Sequence, residues 1–367
     1  MTRLFGKLSV LLYLAVALAS CESDPIIAPV HNDTTIVTNE TRALYVLNEG
    51  AYGANNASLD VLLITRNQTI IDSTNRKDTI VTFDTLYQKN RIPGLGDVGN
   101  DLKLINGKIY AVMNNSNEIV VIDPANASEV KRIDFSAGSG PNKIANIGGN
   151  RALVTHLYST ELAIVDVATN TIAGAVNLGR TSNDIGVLNN KAFISADTQS
   201  VVIWDIASNS IDTVITVPYG PQQIYVDSVN DQIIVACQGN FADAASTSNL
   251  VYIDASTGAI LKTEQVGIGV YAIGRLMRGP AGKLFMLTSG QVQTINLSTR
   301  TIASVPLITS PKQYYGGGYD AQTNTLYLGD AAGFTGLGAV DVYDAATGAL
   351  LKSYEAGIAP AHFAFYR

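Results

Sequence analysis

The sequence repeats one pattern seven times, and this repetition constrains the fold more than any other feature. Each copy has a short apolar strand, a polar loop, a second strand ending in a polar residue, and a turn rich in small polar residues. The copy at 106–123 is the clearest, with a turn at Gly107 and β-favouring residues such as Tyr110 and Val121. One aromatic or apolar residue marks the first strand of each copy: Tyr45, Tyr110, Leu153, Phe193, Ile234, Phe285 and Tyr327.

Another strand, opened by Gly or Pro, precedes these two, as at 140–144 and 220–224. With the strand after the turn, each repeat then holds four strands in roughly 40–45 residues, which is typical of a β-propeller blade. Because no helix-length amphipathic run interrupts the series, a βαβ fold is disfavoured. We predict an all-β fold, a seven-bladed β-propeller with four antiparallel strands per blade.

The two ends of the repeat array complement each other. The first copy begins directly at its second strand, at 43–47, and lacks the strand that should come before it. Residues 357–366 match that missing strand and have no second strand after them. We therefore predict that the C-terminal strand closes blade one, which leaves no exposed sheet edge where the ring joins.

The N-terminus has the features of an export signal. Arg3 and Lys7 are followed by an apolar run at 8–19 that is short for a membrane span. The run ends in Leu18-Ala19-Ser20-Cys21, which resembles the lipobox of bacterial lipoproteins. The alternative is an ordinary signal peptide with an incidental cysteine.

The lipobox resemblance implies three segments. Residues 1–20 are then a signal peptide that is removed, and Cys21 carries the lipid at the start of a flexible tether, 21–41. The propeller occupies 42–367. Glu22, where retention in the inner membrane typically uses Asp, favours the outer membrane and the cell surface. With Cys21 lipidated, Cys237 has no disulfide partner, and its apolar strand predicts a buried structural residue.

The repeats resemble YncE-like propellers, also called YVTN-type after a Tyr-Val-Thr-Asn strand. Tyr45-Val46-Leu47-Asn48 and Leu153-Val154-Thr155-His156 are imperfect versions of that motif. Segments 47–59 and 96–102 are similar to a branch of surface lipoproteins from Gram-negative bacteria. That resemblance implies a partner, a TonB-dependent outer-membrane receptor, and a bulky ligand, with cobalamin or another corrinoid as the expected nutrient.

Ligands of propellers usually bind where the loops around the central channel meet, because every blade contributes to that face. These loops are rich in Tyr and amides and poor in charge, which suits a large and mostly uncharged ligand better than a phosphate. The predicted ligand-binding residues are Asn48, Glu49, Tyr52, Asn55, Asn115, Asn142, His156, Tyr158, Asn183, Asp184, Gln222, Phe241, Tyr271, Tyr315, Phe334 and His362.

Two alternatives remain open, a metal-dependent lactonase-type hydrolase and a protein–protein scaffold of the envelope. In the lactonase reading, Glu49, Asn183 and Asp184 would meet around Ca²⁺ in the channel. We nevertheless predict no catalytic residue, metal or cofactor, because no His, Cys and Asp residues have metal-ligand spacing. A net charge of −7 without a basic stripe argues against nucleic-acid binding.

The repeated acidic residues at the ends of strands have a structural interpretation. They recur at one fixed position of the repeat, directly before a turn, where a carboxylate can accept hydrogen bonds from turn amides. We therefore predict that they cap turns and take no part in catalysis. They are Asp123, Asp166, Asp205, Asp254 and Asp344.

Overall fold

The computed structural model describes residues 43–63, 92–269 and 271–367. These residues form seven antiparallel sheets of at least four strands each, which confirms the predicted seven-bladed β-propeller. One short 3₁₀ turn, Ala332–Phe334, interrupts the strands. The predicted signal peptide, Cys21 and the tether lie outside the described residues.

The first three blades and the start of blade four follow in chain order. Blade one contributes β1 (Ala43–Asn48), β2 (Ala57–Leu63) and β3 (Ile92–Gly96). Blade two has β4 (Gly99–Ile105), β5 (Lys108–Met113), β6 (Glu118–Asp123) and β7 (Ser128–Asp134). Blade three has β8 (Pro141–Gly148), β9 (Arg151–His156), β10 (Glu161–Asp166) and β11 (Thr171–Asn177). Blade four has β12 (Ser182–Leu188), β13 (Lys191–Ala196), β14 (Ser200–Asp205) and β15 (Ser210–Thr216).

The remaining blades follow the same order from the channel outward. Blade five has β16 (Pro221–Asp227), β17 (Gln232–Cys237), β18 (Thr247–Asp254) and β19 (Ile260–Ile268). Blade six has β20 (Arg275–Arg278), β21 (Lys283–Thr288), β22 (Gln291–Asn296), β23 (Thr301–Ile302) and β24 (Ile308–Thr309). Blade seven has β25 (Tyr314–Asp320), β26 (Thr325–Asp330), β27 (Ala339–Asp344) and β28 (Leu350–Glu355). The last strand is β29 (Pro360–Tyr366).

The predicted closure of the ring is confirmed. Strand β29 pairs antiparallel with β1, with Leu44 opposite Phe365 and Leu47 opposite His362, so blade one has the order β29-β1-β2-β3. It also packs beside the inner strands β25 and β4 of the two neighbouring blades. The two ends of the propeller sequence therefore share one sheet.

The apolar core lies between neighbouring blades and follows from the repeat. The aromatic residues Tyr45, Tyr110, Phe193 and Phe285 of the second strands are all buried, as their repeated position implies. By contrast, the outermost strand β15 is exposed at most of its positions. Each blade thus buries both faces of its middle strands against its neighbours, which explains their nearly continuous apolar runs.

The acidic residues before the turns have the predicted structural role. The Asp166 Oδ1 atom accepts hydrogen bonds from the Ala168 and Thr169 amides at 2.8 and 2.9 Å. These bonds lower the pKa of the Asp166 carboxyl. The other four carboxylates accept turn amides in the same way: Asp123, Asp205, Asp254 and Asp344. Cys237 is fully buried, as predicted, and burial raises the pKa of its thiol to about 12.

A glycine at the closure of the ring provides a first prediction. A Cβ atom on Gly316 would lie 1.9 Å from the Ala361 carbonyl oxygen of β29. Because backbone cannot yield as a side chain can, we expect Gly316→Ala to lower the free energy of unfolding by about 2–3 kcal/mol or more. Denaturant unfolding measures this, with Gly336→Ala as the control, since nothing lies within 4 Å of its added methyl. Equal midpoints for the two variants would contradict the close packing of β25 on β29.

Candidate functional site

One face of the propeller carries two sets of loops that bond to each other. One set joins second to third strands, and the other leads into the inner strands; together we call them the loop face. The Asn115 amide donates to the Asp97 carbonyl at 3.1 Å, Tyr158 to Ser139 at 3.1 Å, and Gly239 to Tyr219 at 2.9 Å. The loops are thus held at fixed positions around the mouth of the channel.

In the part of the chain that the structure describes, exposed aromatic side chains are confined to the loop face. Every exposed aromatic side chain of the described residues lies in a loop of this face. Large aliphatic residues are exposed elsewhere too. Such rings keep their apolar area in water, which costs free energy unless a partner covers it. They are Tyr52, Tyr158, Tyr219, Phe241, Tyr271 and Phe334, of which Tyr52 is 82% exposed.

Two pairs of these rings support each other edge to face. The ring centroids of Phe241 and Tyr271 are 4.8 Å apart, and those of Tyr315 and Phe334 are 4.9 Å apart. Tyr271 and Phe334 also have positive φ angles of 61° and 64°, a conformation that is unfavourable for bulky residues. Backbone strain of this kind concentrates at functional sites. The pairs therefore hold aromatic surface in place at the loop face.

The loop that carries Tyr52 is fastened to blade two. The Asp97 carboxylate accepts hydrogen bonds from the Gly53 amide at 3.0 Å and from the Asn115 amide group at 2.6 Å. Within the loop, the Ala51 amide donates to the Asn56 side chain at 2.8 Å. Tyr52 is thus presented on a loop that is bonded at both its base and its tip.

Two of the predicted ligand-binding residues lie inside the blades. Asn48 is fully buried and donates to Ser58 Oγ at 3.1 Å and to Asp60 Oδ2 at 3.0 Å. His156 is 3% exposed, and its Nδ1 donates to the Glu161 carbonyl at 2.9 Å. Burial lowers the pKa of His156. Both side chains complete the packing of a blade and do not contribute surface to the loop face.

Two of the predicted amide residues, Asn142 and Asn183, form a belt across four blades together with Asn100. The Asn100 side chain donates to Asn142 Oδ1 at 2.8 Å, and Asn142 donates to the Asn183 carbonyl at 2.7 Å. Asn183 in turn donates to the Pro221 carbonyl at 3.3 Å. These amides join neighbouring inner strands, whereas Gln222 and Asn55 are exposed on the loop face.

The residues that directly follow Asn142, Asn183 and Gln222 in their inner strands lie at a second level of the channel. Seven inner-strand residues form this level, which we call the channel ring. Each lies beside the penultimate residue of its blade's second strand, as in the pairs Asp101–Val112, Gln223–Ala236 and Arg275–Leu287. Lys143 and Asp184 lie at the same level, because their backbone amides donate hydrogen bonds to the Thr155 and Ser195 hydroxyls of the second strands. The ring consists of Asp101, Lys143, Asp184, Gln223, Arg275, Gly316 and His362.

Three members of the ring bond to the backbone of the next blade. Asp101 Oδ2 accepts the Ile144 amide at 3.0 Å, and Asp184 Oδ2 accepts the Ile224 amide at 2.9 Å. Gln223 accepts the Leu276 amide at 2.7 Å and donates to the Leu276 carbonyl at 2.9 Å. These side chains therefore set the spacing of the blades around the channel.

The channel is charged, whereas the sequence predicts loops poor in charge on the face above it. Lys103 follows Asp101 on β4 with its Nζ 3.6 Å from Asp101 Oδ1, and its side chain is 53% exposed, so solvent reaches it. Burial, reinforced by Arg275 and Lys103, lowers the pKa of Lys143 to about 8. Burial and then the three cations Lys143, Arg275 and Lys103 lower the pKa of His362 well below its usual value, so His362 is neutral at pH 7.

The two predicted residues at the mouth interact with each other. Burial raises the pKa of Glu49, although a hydrogen bond from Tyr315 and the charges of Lys143 and Arg275 oppose that rise. Burial and the Glu49 charge raise the pKa of Tyr315, which stays protonated. Glu49 and Tyr315 thus connect the loop face with the channel ring.

Sequence reasoning missed the three channel cations Lys103, Lys143 and Arg275. It selected Asp184 and His362, which belong to the ring, and Asn142, Asn183 and Gln222, which lie one residue before it. Charged or polar residues share one position of the inner strands, but this shows only when the strands are aligned by the second-strand partners that the structure gives them. Only the seventh blade, with Gly316, departs from this pattern.

The residues of the lactonase alternative already have structural partners. Asn183 and Asp184 bond to the inner strand of blade five. Within residues 43–63, 92–269 and 271–367, no three His, Cys, Asp or Glu side chains are grouped so that they could hold a metal ion. In the same ranges, no helix has the length and apolar character needed to cross a membrane.

Solved structures share the architecture at low sequence identity. Hydrazine synthase from Kuenenia stuttgartiensis is 12% identical with a TM-score of 0.59, over 72% of this chain and 88% of that one. The computationally designed Ika8 protein is 13% identical with a TM-score of 0.53, over 88% and 91%. A protein from Lactobacillus plantarum is 11% identical with a TM-score of 0.63, over 89% and 100%. At these identities the likeness concerns the fold alone.

The sequence itself matches one family. A search of curated proteins found no significant match. The family described as "Domain of unknown function (DUF5074)" matches residues 42–365, which span the propeller from β1 to β29. The chain therefore belongs to the DUF5074 family.

Proposed function

We propose that this protein is a lipid-anchored binding protein of the outer membrane that captures a bulky nutrient on its loop face. The most plausible ligand class is a corrinoid such as cobalamin, passed on to a TonB-dependent outer-membrane receptor. One observation carries the proposal: the exposed aromatic side chains of the described residues all lie on the loop face.

The chemistry of that face suits a large ligand with both apolar and amide groups. Aromatic rings provide stacking area at a low cost in side-chain entropy, and hydroxyl and amide groups accept and donate hydrogen bonds at its edges. The edge-to-face pairs and the bonded Tyr52 loop support binding because less ordering remains to be done when a ligand arrives. The anchor at Cys21 and the receptor partner rest on the sequence resemblances.

Titration with cyanocobalamin tests the proposal. We expect saturable binding at micromolar concentrations or below. Changes in the visible absorbance of the ligand measure this binding. Tyr271→Ala should weaken binding by about tenfold or more, because it removes an exposed ring and the edge-to-face contact of that ring with Phe241. Central aromatic contacts typically contribute more than 1 kcal/mol to binding.

Val229→Ala is the matched control for that titration. Val229 is 87% exposed in the loop between β16 and β17, at the opposite end of blade five from Phe241, so its truncation should leave the affinity unchanged. Absence of binding at micromolar cobalamin would reject the corrinoid. Equal losses in Tyr271→Ala and Val229→Ala would reject the loop face as the binding surface.

A further inference from the structure

Arg275 differs from the other charged members of the channel ring. Neither its guanidinium nor the Lys143 ammonium has a carboxylate oxygen within 4.0 Å among the described residues, but Lys143 Nζ donates to the Asn100 carbonyl. The neighbours of Arg275 in the ring, Gln223 and Gly316, carry no charge, whereas Lys143 lies between Asp101 and Asp184. A channel-lining arginine without an ion-pair partner is a ready site for an anion.

The acidic groups of the channel are already engaged. Asp101 accepts the Ile144 amide and has Lys103 Nζ at 3.6 Å, and Asp184 accepts the Ile224 amide. Glu49 is hydrogen-bonded by Tyr315, and burial raises the pKa of its carboxyl. None of these carboxylates is placed to neutralise Arg275 by direct contact.

Lys143 and Arg275 belong to the channel ring, and Lys103 lies two residues beyond the ring member Asp101. Lys103, Lys143 and Arg275 come from blades two, three and six, yet all three act electrostatically on His362 of blade one. Lys143 Nζ donates to the Asn100 carbonyl, which holds the ammonium at the level of the amide belt. Charges from separate blades therefore converge on the channel axis.

We propose that the channel binds an oxyanion, a phosphate or carboxylate group, with Arg275 as its direct partner and Lys143 and Lys103 as supporting cations. The planar guanidinium can donate two parallel hydrogen bonds to such a group, and the partly dehydrated channel strengthens them. The site goes beyond the proposed function, because it does not involve the exposed rings of the loop face.

Calorimetric titration of the full-length protein tests this site. The probes are sodium phosphate and sodium acetate, each compared with sodium chloride at matched ionic strength. We expect saturable binding of at least one probe and a loss of about tenfold or more in Arg275→Gln, as for removal of a charge-assisted hydrogen bond. Binding of phosphate alone identifies a phosphate site, and binding of acetate as well identifies a general oxyanion site.

Arg278→Gln is the matched control. It removes the same charge from the same strand, β20, at an exposed position, so the affinity should stay within about twofold. If Arg275→Gln fails to fold by circular dichroism, Lys143→Met serves as the second variant and should also weaken binding at pH 7.

Raising the pH gives an independent readout. Lys143 has a pKa of about 8, and the titratable and charged groups that interact with it are Asp101, Asp184, Arg275, Lys103, Glu49 and His362. Between pH 7 and about pH 9.5 the unliganded ammonium loses its proton, so anion binding by the wild type should weaken. In Lys143→Met this part of the pH dependence should vanish.

Two results would overturn the channel site. The first is the absence of saturable binding of both probes to the wild type, and the second is an unchanged affinity in a folded Arg275→Gln variant. The outcome is separable from that of the corrinoid titration. Phosphate or acetate binding without cobalamin binding would support the channel site and reject the corrinoid. Cobalamin binding without phosphate or acetate binding would support the corrinoid and reject the channel site.

Discussion

Deletion of strand β29, residues 360–367, is expected to abolish the folded propeller. Without it, blade one begins at β1, whose Leu44 and Val46 are fully buried and would become an exposed apolar edge. The β29 side chains Phe363 and Phe365, which pack between blades seven and one, would be lost as well. We expect a loss comparable with the whole stability of a typical domain, about 5–15 kcal/mol.

The truncated chain should therefore aggregate or lack a cooperative unfolding transition. An open edge of this kind is also a template for pairing with other chains. Circular dichroism during thermal unfolding and size-exclusion chromatography measure both effects. A synthetic peptide of residues 358–367 should restore a cooperative transition by adding the missing strand.

Removal of Arg367 alone is the control for this truncation. Its guanidinium lies 3.6 Å from the buried Asp320 carboxylate, which keeps its hydrogen bonds from the Gln322 amide and the Thr323 hydroxyl when Arg367 is removed. Because the Arg367 side chain is 42% exposed, we expect the ion pair to contribute only about 1 kcal/mol. This shortened chain should fold normally. A chain that lacks 360–367 and still unfolds at the wild-type midpoint would contradict the role of β29 in closing the ring.

The architecture could be predicted because it follows from spacing. The buried Tyr45, Tyr110 and Phe285 recur at one place in each repeat, so a pattern of strands and turns was sufficient to count blades. The closure by β29 could be predicted because the first repeat lacks its first strand and one extra strand follows the last repeat. The carboxylates of Asp166 and Asp344 recur with the turns, which made their capping role predictable.

Of the channel ring only Asp184 and His362 were predicted, because membership of the ring depends on local register. The inner strands contain bulges near their beginnings, for example between Gly99 and Asp101 and between Pro221 and Gln223. A bulge shifts which side chains face the channel, and a shift of one residue moves every side chain to the other face. Sequence reasoning selected Gln222 as a residue of the loop that leads into the blade, and it did not select Gln223.

The loop face could be predicted in part. Chain connectivity places Tyr52, Phe241 and Phe334 on one face whatever the details of their loops. It does not give the edge-to-face contacts of Phe241 with Tyr271 or the bond from Asp97 to the Tyr52 loop, since these join segments of different repeats. Asn48 and His156 are buried because residues at the end of a second strand can still be covered by the next loop.

A buried carboxylate in blade seven provides the second large effect. Asp341 is fully buried and accepts hydrogen bonds of 2.6 Å from Lys312, Tyr314 and Ser353. The Tyr314 hydroxyl also contacts the Tyr343 hydroxyl at 2.6 Å, so the carboxylate is the centre of a connected polar network. Removing it by Asp341→Ala leaves these donors without their acceptor, and we expect a loss of about 3–5 kcal/mol in the free energy of unfolding.

The same network predicts a pH dependence. Burial alone would raise the pKa of Asp341, but the bonds from Lys312, Ser353 and Tyr314 outweigh it and hold the pKa below its usual value. A group whose pKa is lowered in the folded state stabilises that state above its unfolded pKa of about 3.9. This stabilisation should be lost as the pH falls through the folded pKa, and Asp341→Asn should show less of that acid dependence.

Asp344→Ala is the control within the same strand, because its carboxylate caps an exposed turn and binds no buried donor. Denaturant unfolding at neutral pH should show a much smaller loss for Asp344→Ala than for Asp341→Ala. If the two losses were equal, the buried network would contribute no more than a turn. Tyr314 begins the inner strand of blade seven, and Lys312 lies two residues before it. A specific effect at Asp341 would therefore show that one buried charge orders the start of this strand, where Tyr315 lies at the mouth of the channel.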